Sequence, residues 1–379
     1  MVAKNEEPEF QEPKDLTQTL LSMLSRPNIA GCEFVAMQYD HEVQAGSVLK
    51  PLQGAGRVCA DATVTRPVLD SKRGAVLAFG INPSYGDIDA YSMAANAVDT
   101  AVRSAICAGA NPEHLAVLDN FCWPSGNDPE RLAQLKDAAR ACYDCATAYG
   151  TPFISGKDSM FNDFQGFGED GSPVKISVPP TILISALGVI EDCEKAVSID
   201  AKMPGDSIYL VGVTCRELGG SEYFALMGER ETGKRYIGNS VPKVDAEKNH
   251  SAYSAISKCI VKGVVASAAS VQRGGLAVAL AKTLMAGKLG AETNIGKISL
   301  AAGRDDYALF SESAGRVIVT VSRQAAQEFE ETIGTCAFEK IGELNADGIV
   351  TVDGREGKRI IETTVEEMLK AYKSAFSGY

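Results

Sequence analysis

The stretch AVLAFGINPSYGDIDAYSMAANAVDTAVRSAICAGA, residues 75–110, decides the fold. Ala75–Ile81 is a short apolar run of β character, and a long helical pattern follows from Tyr85 to Ala110. Ala90, Met93, Ala94, Ala97, Val98, Ala101, Val102, Ala105 and Ile106 form one apolar stripe, with Gly109 near its end. So many alanines on a buried stripe predict close packing of the helix against a sheet. Outward from this pair, Arg57–Thr65 and Leu115–Leu118 read as strands, 128–148 as a helix, and Pro152–Ser155 and Thr181–Val189 as further strands.

Upstream, Leu16, Leu20, Leu21 and Leu24 recur at helical spacing behind Asp15, a candidate N-cap, and a second short helical pattern covers 32–43. Residues 1–14 are charged, carry two prolines and read as a linker or tail. Downstream, the polar stretch 192–206 ends in the turn signal Met203-Pro204-Gly205-Asp206. A domain boundary is expected there, giving domains at 15–192 and 205–375. The second half reads as alternating strands and helices: helices at 220–228, 247–262, 275–287 and 364–374, and strands at 207–213, 294–300, 315–321, 337–342 and 348–352. Two domains of α+β or α/β class follow.

The chain has 379 residues with 37 Lys and Arg against 49 Asp and Glu, a net charge of −12. That length favours two cores, since one core stops growing near roughly 250–300 residues. The acidic balance excludes a duplex-binding protein, whose affinity comes from neutralising phosphates. No stretch approaches the roughly 20 apolar residues of a membrane span, and the N-terminus has no apolar signal-peptide run, so a cytoplasmic location is expected. Ten cysteines at irregular spacing read as reduced thiols. Cys142 and Cys145 have metal or redox spacing, but no second pair answers them, and packing inside a helix is the favoured reading.

Several segments are candidates for chemistry. Val117–Pro124 is a strand ending in Asp119-Asn120, and Asp119 reads equally as a ligand-facing carboxylate or as the cap of a turn. In Ser155-Gly156-Lys157-Asp158-Ser159, Gly156 admits a phosphate, Lys157 supplies charge and Ser159 a hydroxyl, although a solvated turn explains the same residues. Gly219–Tyr223 and Arg273–Leu276 open helices whose N-termini can receive anions; for the first an ordinary cap at Ser221 is the alternative, and for Arg273 a solvated arginine. His41, His114 and His250 are scattered, so no hydrolase triad is expected, and no cluster indicates a resident metal. No catalytic residue is assigned.

Ser25–Ala30, Gln38-Tyr39-Asp40, Gly80–Asp89, Leu118–Trp123, Ser155–Met160, Gly219–Tyr223 and Phe310–Ser313, in this order over about residues 15–375, resemble the second half of the synthetase region of phosphoribosylformylglycinamidine synthase. The resemblance implies a two-domain fold like that of aminoimidazole ribonucleotide (AIR) synthetase, with an N-terminal α+β domain whose strands pair with a second copy in a barrel-like interface and a C-terminal α/β domain. It implies ATP-dependent, Mg2+-assisted amidation of formylglycinamide ribonucleotide in purine biosynthesis, shared with an N-terminal half and fed by a glutaminase. On that pattern Asp119, Gly156 and Lys157 contact nucleotide, Ser159 contacts substrate, and Arg273 is a candidate phosphate contact.

The departures from the family are equally specific. Its auxiliary nucleotide pocket has acidic and amide ligands where this chain has Gly80, Thr100, Ser104 and Ser270. Its Glu-Ser-Gln substrate segment is Glu312-Ser313-Ala314 here. The resemblance therefore implies a degenerate half, inactive alone and homodimeric when isolated. The competing readings are a purely structural partner subunit and a homodimeric AIR synthetase relative with another substrate.

Overall fold

The computed structural model describes residues 5–38 and 43–379. Counting only the strands of its two large sheets, the first contains β1 (Ser47–Leu49), β2 (Ala62–Thr65), β3 (Gly74–Ile81), β4 (Leu115–Cys122), β5 (Phe153–Ser159) and β6 (Thr181–Ile190), in the order β1-β2-β3-β6-β4-β5. Only β4 and β5 run parallel. The second contains β7 (Ser207–Val211), β8 (Ser267–Ser270), β9 (Gly290–Asn294), β10 (Val317–Val321), β11 (Phe338–Asn345), β12 (Ile349–Asp353) and β13 (Arg359–Thr364), in the order β8-β10-β7-β11-β9-β12-β13. This is the two-part mixed architecture expected from the sequence.

The long helix runs from Ala90 to Cys107, later than the pattern suggested, because Pro83–Asp87 forms a 3-10 turn and the Asp89 carboxylate caps the helix at Tyr91 N–H (3.1 Å). All of its residues except Tyr91 are buried. It packs on β3 and β6, on the helix Pro129–Tyr149 and, across the seam between the sheets, on β8 and the helix Ala246–Lys262. A helix covered on every side leaves no face to water, so its polar residues must find partners inside the fold. Its alanines permit that approach, and so does Gly80 on β3, where a Cβ would stand 2.1 Å from the Ala97 carbonyl oxygen.

The other face of the first sheet is open. Side chains alternate along β3 and β6, so Val76, Ala78, Ile182, Ile184 and Ala186 face the helices, and Leu77, Phe79, Leu183 and Leu187 face outward. Leu77 is 47% and Phe79 56% exposed, an apolar surface of the kind that marks a protein contact. Beyond β5 a hairpin, Asp163–Phe167 with Pro173–Ser177, extends this side and exposes Phe164, Phe167 and Ile176. The sequence reading had no strands there.

Four expectations are corrected. The 1–14 segment is docked where it is described: Phe10 packs edge-on against Tyr223 and Phe224, and Glu12 pairs with Arg355 at 2.6 Å. The helix Leu16–Leu24 joins the core of the second sheet, on the helix Val365–Ser374, although it precedes the first sheet in the chain. Residues 296–302 form a helix, with Ile295, Ser299 and Ala302 buried at helical spacing and Leu300 73% exposed. Of the expected 32–43 helix one turn is present, Glu33–Ala36; Tyr39, Asp40 and His41 lie outside the described residues. Among the described residues, no helix is long and apolar enough to cross a membrane.

Candidate functional site

Asp119 lies on β4 opposite Gly156 of β5. Both belong to the helix-covered side, and a Cβ at 156 would meet Asp119 Oδ1 at 2.5 Å, so glycine is the residue that leaves this carboxylate room. Burial pushes the Asp119 carboxyl upward, and the charge of Asp158 adds to the effect. Lys157 is in register with Asn120 and points to the open side, where its ammonium group bonds the Ser159 hydroxyl. The four residues selected from the sequence thus divide across the sheet, Asp119 and Gly156 on one side, Lys157 and Ser159 on the other. One cavity inside this chain does not gather them.

A denser polar cluster occupies the seam between the two sheets. Arg103, on the long helix, is 2% exposed and forms a buried ion pair with Asp99 one turn earlier. Its Nε donates to Ser270 Oγ (2.7 Å), and its Nη2 to the Val271 carbonyl (3.2 Å) and Thr100 Oγ1 (3.3 Å). Asp99 also accepts from the hydroxyls of Tyr149 (2.5 Å) and Tyr253 (2.6 Å) and from Asn249 Nδ2 (2.9 Å). Burial is the largest influence on the Arg103 guanidinium and opposes its charge, but the Asp99 carboxylate, Tyr253 and Cys107 together outweigh it and raise the Arg103 pKa; burial and Asp99 together keep both tyrosines protonated.

Thr100 and Ser270, two positions where the resemblance implies lost ligands, are hydrogen-bond partners of Arg103. A third, Gly80, lies under the long helix beside Thr100. The Ser104 hydroxyl is buried without a hydrogen-bond partner. Magnesium needs hard oxygen ligands in near-octahedral array. A fixed guanidinium at the centre of this cluster does not fit that ion. The sequence reading missed Arg103; its signal was an Asp99-Arg103 pair at i,i+4 in a helix otherwise free of charge.

The two helix N-termini considered for external anions are occupied from within. Glu312 is buried, and its Oε1 accepts from the N–H groups of Gly274 (2.8 Å) and Glu222 (3.1 Å), while the Tyr85 hydroxyl donates to its Oε2 (2.5 Å). Ser221 caps its helix at Phe224 N–H (3.1 Å). Arg26 and Asn28 in turn bind the Glu222 carboxylate, at 2.5 and 2.6 Å. Motifs distant in sequence thus form one chain of contacts: Ser25–Ala30 to Glu222, Glu222 N–H to Glu312, and Glu312 to Tyr85. Arg273, expected to meet phosphate, donates to the carbonyls of Ile81 (2.8 Å) and Asn28 (3.3 Å) and clamps the seam.

Two cavities flank this network. The larger, about 510 Å³, is lined by Cys215, Lys243, Lys248, Asn249, Ser313 and Ala314. Of the Glu312-Ser313-Ala314 segment, Ser313 and Ala314 line it, and Ser313 is spent on Cys215, accepting from its N–H at 2.9 Å. The smaller, about 170 Å³, is lined by Asn28, Asp61, Arg273 and Lys282 together with Cys32 and Cys59. Asp119, Gly156, Lys157 and Ser159 line neither. Cys142 and Cys145 are buried in their helix, and burial pushes both thiols up to about 12, which makes them packing residues.

Two protein families match this architecture in order: AIR synthase related protein, N-terminal domain, over residues 59–190, and AIR synthase related protein, C-terminal domain, over 203–355. The chain belongs to the AIR synthase related proteins, with one domain of each kind. Among curated proteins it is 32% identical over 376 residues to the phosphoribosylformylglycinamidine synthase subunit PurL of Methanocaldococcus jannaschii, covering 98% of this chain and 48% of the relative. The PurL subunit of an Anaeromyxobacter species is 32% identical over 372 residues, covering 96% and 45%. The chain spans about half the length of the curated relatives it matches. In solved structures the fold matches Thermotoga maritima PurL complexed with FGAR, with a TM-score of 0.68 at 20% identity over 95% of this chain and 54% of that one. The hydrogenase maturation protein HypE in complex with ATP shares it at a TM-score of 0.54 and 14% identity, over 80% and 89%.

Proposed function

We propose that the chain acts as the C-terminal half of a phosphoribosylformylglycinamidine synthase, a carbon–nitrogen ligase that uses ATP to convert formylglycinamide ribonucleotide to the amidine in the cytoplasm. The observation that carries this reading is a similarity running through nearly the whole chain to only about half of each PurL relative. Along the chain the domains are 15–192 and 205–375, with the helix Leu16–Leu24 of the first segment packed into the core of the second. A separate N-terminal half supplies the catalytic residues, and a glutaminase supplies ammonia. Asp119 and Gly156 serve the nucleotide, and Lys157 and Ser159, on the open side of the sheet, reach into the site of the other half. ATP is used with Mg2+ in the assembled site. The auxiliary nucleotide position is lost, because Arg103 fills it.

Purified chain given formylglycinamide ribonucleotide, ATP and ammonium is expected to form product at background rate, and to become active when a PurL N-terminal half is added. In that assembly Asp119→Ala and Lys157→Ala each reduce kcat/KM by about 10- to 100-fold, the equivalent of one lost charge-assisted hydrogen bond of roughly 1.5–3 kcal/mol. Turnover by the chain alone would overturn the reading, and unchanged rates in both variants would reduce the chain to a structural partner.

Without the other half, the open face carrying Leu77, Phe79 and Leu187 pairs with a second copy. Light scattering on the isolated chain is expected to give a dimer mass, and Phe79→Glu a monomer. A monomeric wild type excludes this pairing.

A further inference from the structure

On the wall of the smaller cavity the sulfurs of Cys32 and Cys59 are 3.5 Å apart. A disulfide bond is about 2.05 Å long, so the two must close by roughly 1.5 Å, a distance that modest side-chain rotation supplies. Among the described residues no other two thiols hydrogen-bond to each other. Cys32 precedes the one-turn helix Glu33–Ala36, and Cys59 ends the short strand Val58–Cys59. Neither is sealed in the core: both are partly exposed, and both also line a groove of about 380 Å³ on the open face of the first sheet, beside Leu77, Phe79 and Ser185. Where that face is uncovered, a small solute therefore has two approaches to the pair.

The surroundings make the two sulfurs unequal. Cys59 shares a hydrogen bond with Cys32, its N–H donates to the Tyr372 hydroxyl (3.2 Å), and Lys282 lines the same cavity. The contact with Cys32 holds the Cys59 thiol below its ordinary range against the opposing effect of burial, while the same contact pushes Cys32 up. A thiolate with its resolving thiol already in contact is the arrangement used in thiol–disulfide exchange.

We propose that Cys32 and Cys59 form a thiol–disulfide exchange site that reacts with a low-molecular-weight disulfide and closes reversibly into an intramolecular disulfide. The Cys59 thiolate attacks one sulfur of the small disulfide, whose S–S bond breaks; the departing thiolate takes a proton from water. Cys32 loses its proton to water, and its thiolate attacks the Cys59 sulfur, releasing the second small thiolate, which is protonated likewise. Two protein thiols are oxidised by two electrons, and one small disulfide is reduced to two thiols. The bond closes a chain separation of 27 residues and fixes Cys32 against the strand holding Cys59. Asn28, whose carbonyl receives Arg273, is four residues from the tether, so the rim of the cavity becomes fixed with it.

The test is incubation of the whole native chain in oxidised and reduced glutathione at a series of ratios, followed by quenching, non-reducing trypsin digestion and mass spectrometry. Cleavage after Arg57 separates the two cysteines. A Cys32–Cys59 cross-linked peptide is expected to rise with the oxidised fraction and to vanish on return to reduced glutathione. Exposed Cys215 takes only a glutathione adduct and serves as the internal reference. In Cys32→Ser, Cys59 retains the glutathione adduct that it otherwise passes on. The proposal fails if wild type shows no 32–59 cross-link at any ratio, or if Cys59 stays unmodified while Cys215 reacts.

Discussion

Replacing Arg103 with alanine is expected to lower the stability of the chain by about 3–5 kcal/mol, the cost of removing one partner from a buried ion pair and leaving the other charge unpaired. The stranded group is the Asp99 carboxylate, 0% exposed, which keeps its bonds from Tyr149, Tyr253 and Asn249 but loses its cation. Ser270 and the Val271 carbonyl lose their donor as well. Arg103→Lys recovers only part of the loss, because an ammonium cannot span Asp99, Ser270 and Val271 as the planar fork does. The measurement is the urea midpoint, with the double variant Asp99→Asn/Arg103→Met as the control that removes both charges. A loss below about 1 kcal/mol in Arg103→Ala would mean that the cluster does not hold the seam. A double variant no more stable than Arg103→Ala would show that the unpaired charge is not the cause.

The second large effect is expected at Glu312. Alanine there leaves the N–H groups of Gly274 and Glu222 and the Tyr85 hydroxyl without an acceptor, at about 1–3 kcal/mol for a buried orphan, and a total near 3 kcal/mol is expected because the three share one site. Glu312→Gln keeps an oxygen acceptor and sheds the charge. Burial holds the Glu312 carboxyl above its ordinary range, against the bonds from Gly274, Tyr85 and Glu222. Glu312 therefore binds its proton more tightly in the folded chain than in the unfolded one. Its contribution is full below the ordinary glutamate value of about 4.3 and is lost as pH rises through the folded value. Stability measured from pH 4 to pH 7 should decline more steeply in wild type than in Glu312→Gln. Parallel profiles would show that Glu312 does not titrate in this way, and an alanine variant as stable as wild type would show that the two helix N-termini do not depend on it.

Much of the architecture was legible in the sequence because it rests on local periodicity. The strand Ala75–Ile81 and the alanine stripe after it mark a helix laid on a sheet, and Ser221, Gly274-Gly275 and Met203–Asp206 mark a cap, a helix start and a turn, each through chemistry confined to a few residues. Residues 296–302 were misread because a short apolar run carries too few periods to separate strand from helix. The docked segment around Phe10 was read as a tail because its composition is charged, and composition does not register one aromatic ring finding four others.

The sequence by itself determined the order of elements, the two-domain class and the family resemblance, since these depend on residue identity along the chain. Only the tertiary structure decided the site. It placed Asp119 and Gly156 on one side of a sheet and Lys157 and Ser159 on the other, because a strand alternates its side chains and the register of β4 with β5 fixes which pairs share a face. It set Arg103 among Thr100 and Ser270, with Gly80 beneath the same helix, joining residues up to 190 positions apart by a helix buried on all sides. Burial turned that arginine and Glu312 into internal counterparts for charges that the sequence reading had expected from outside ligands.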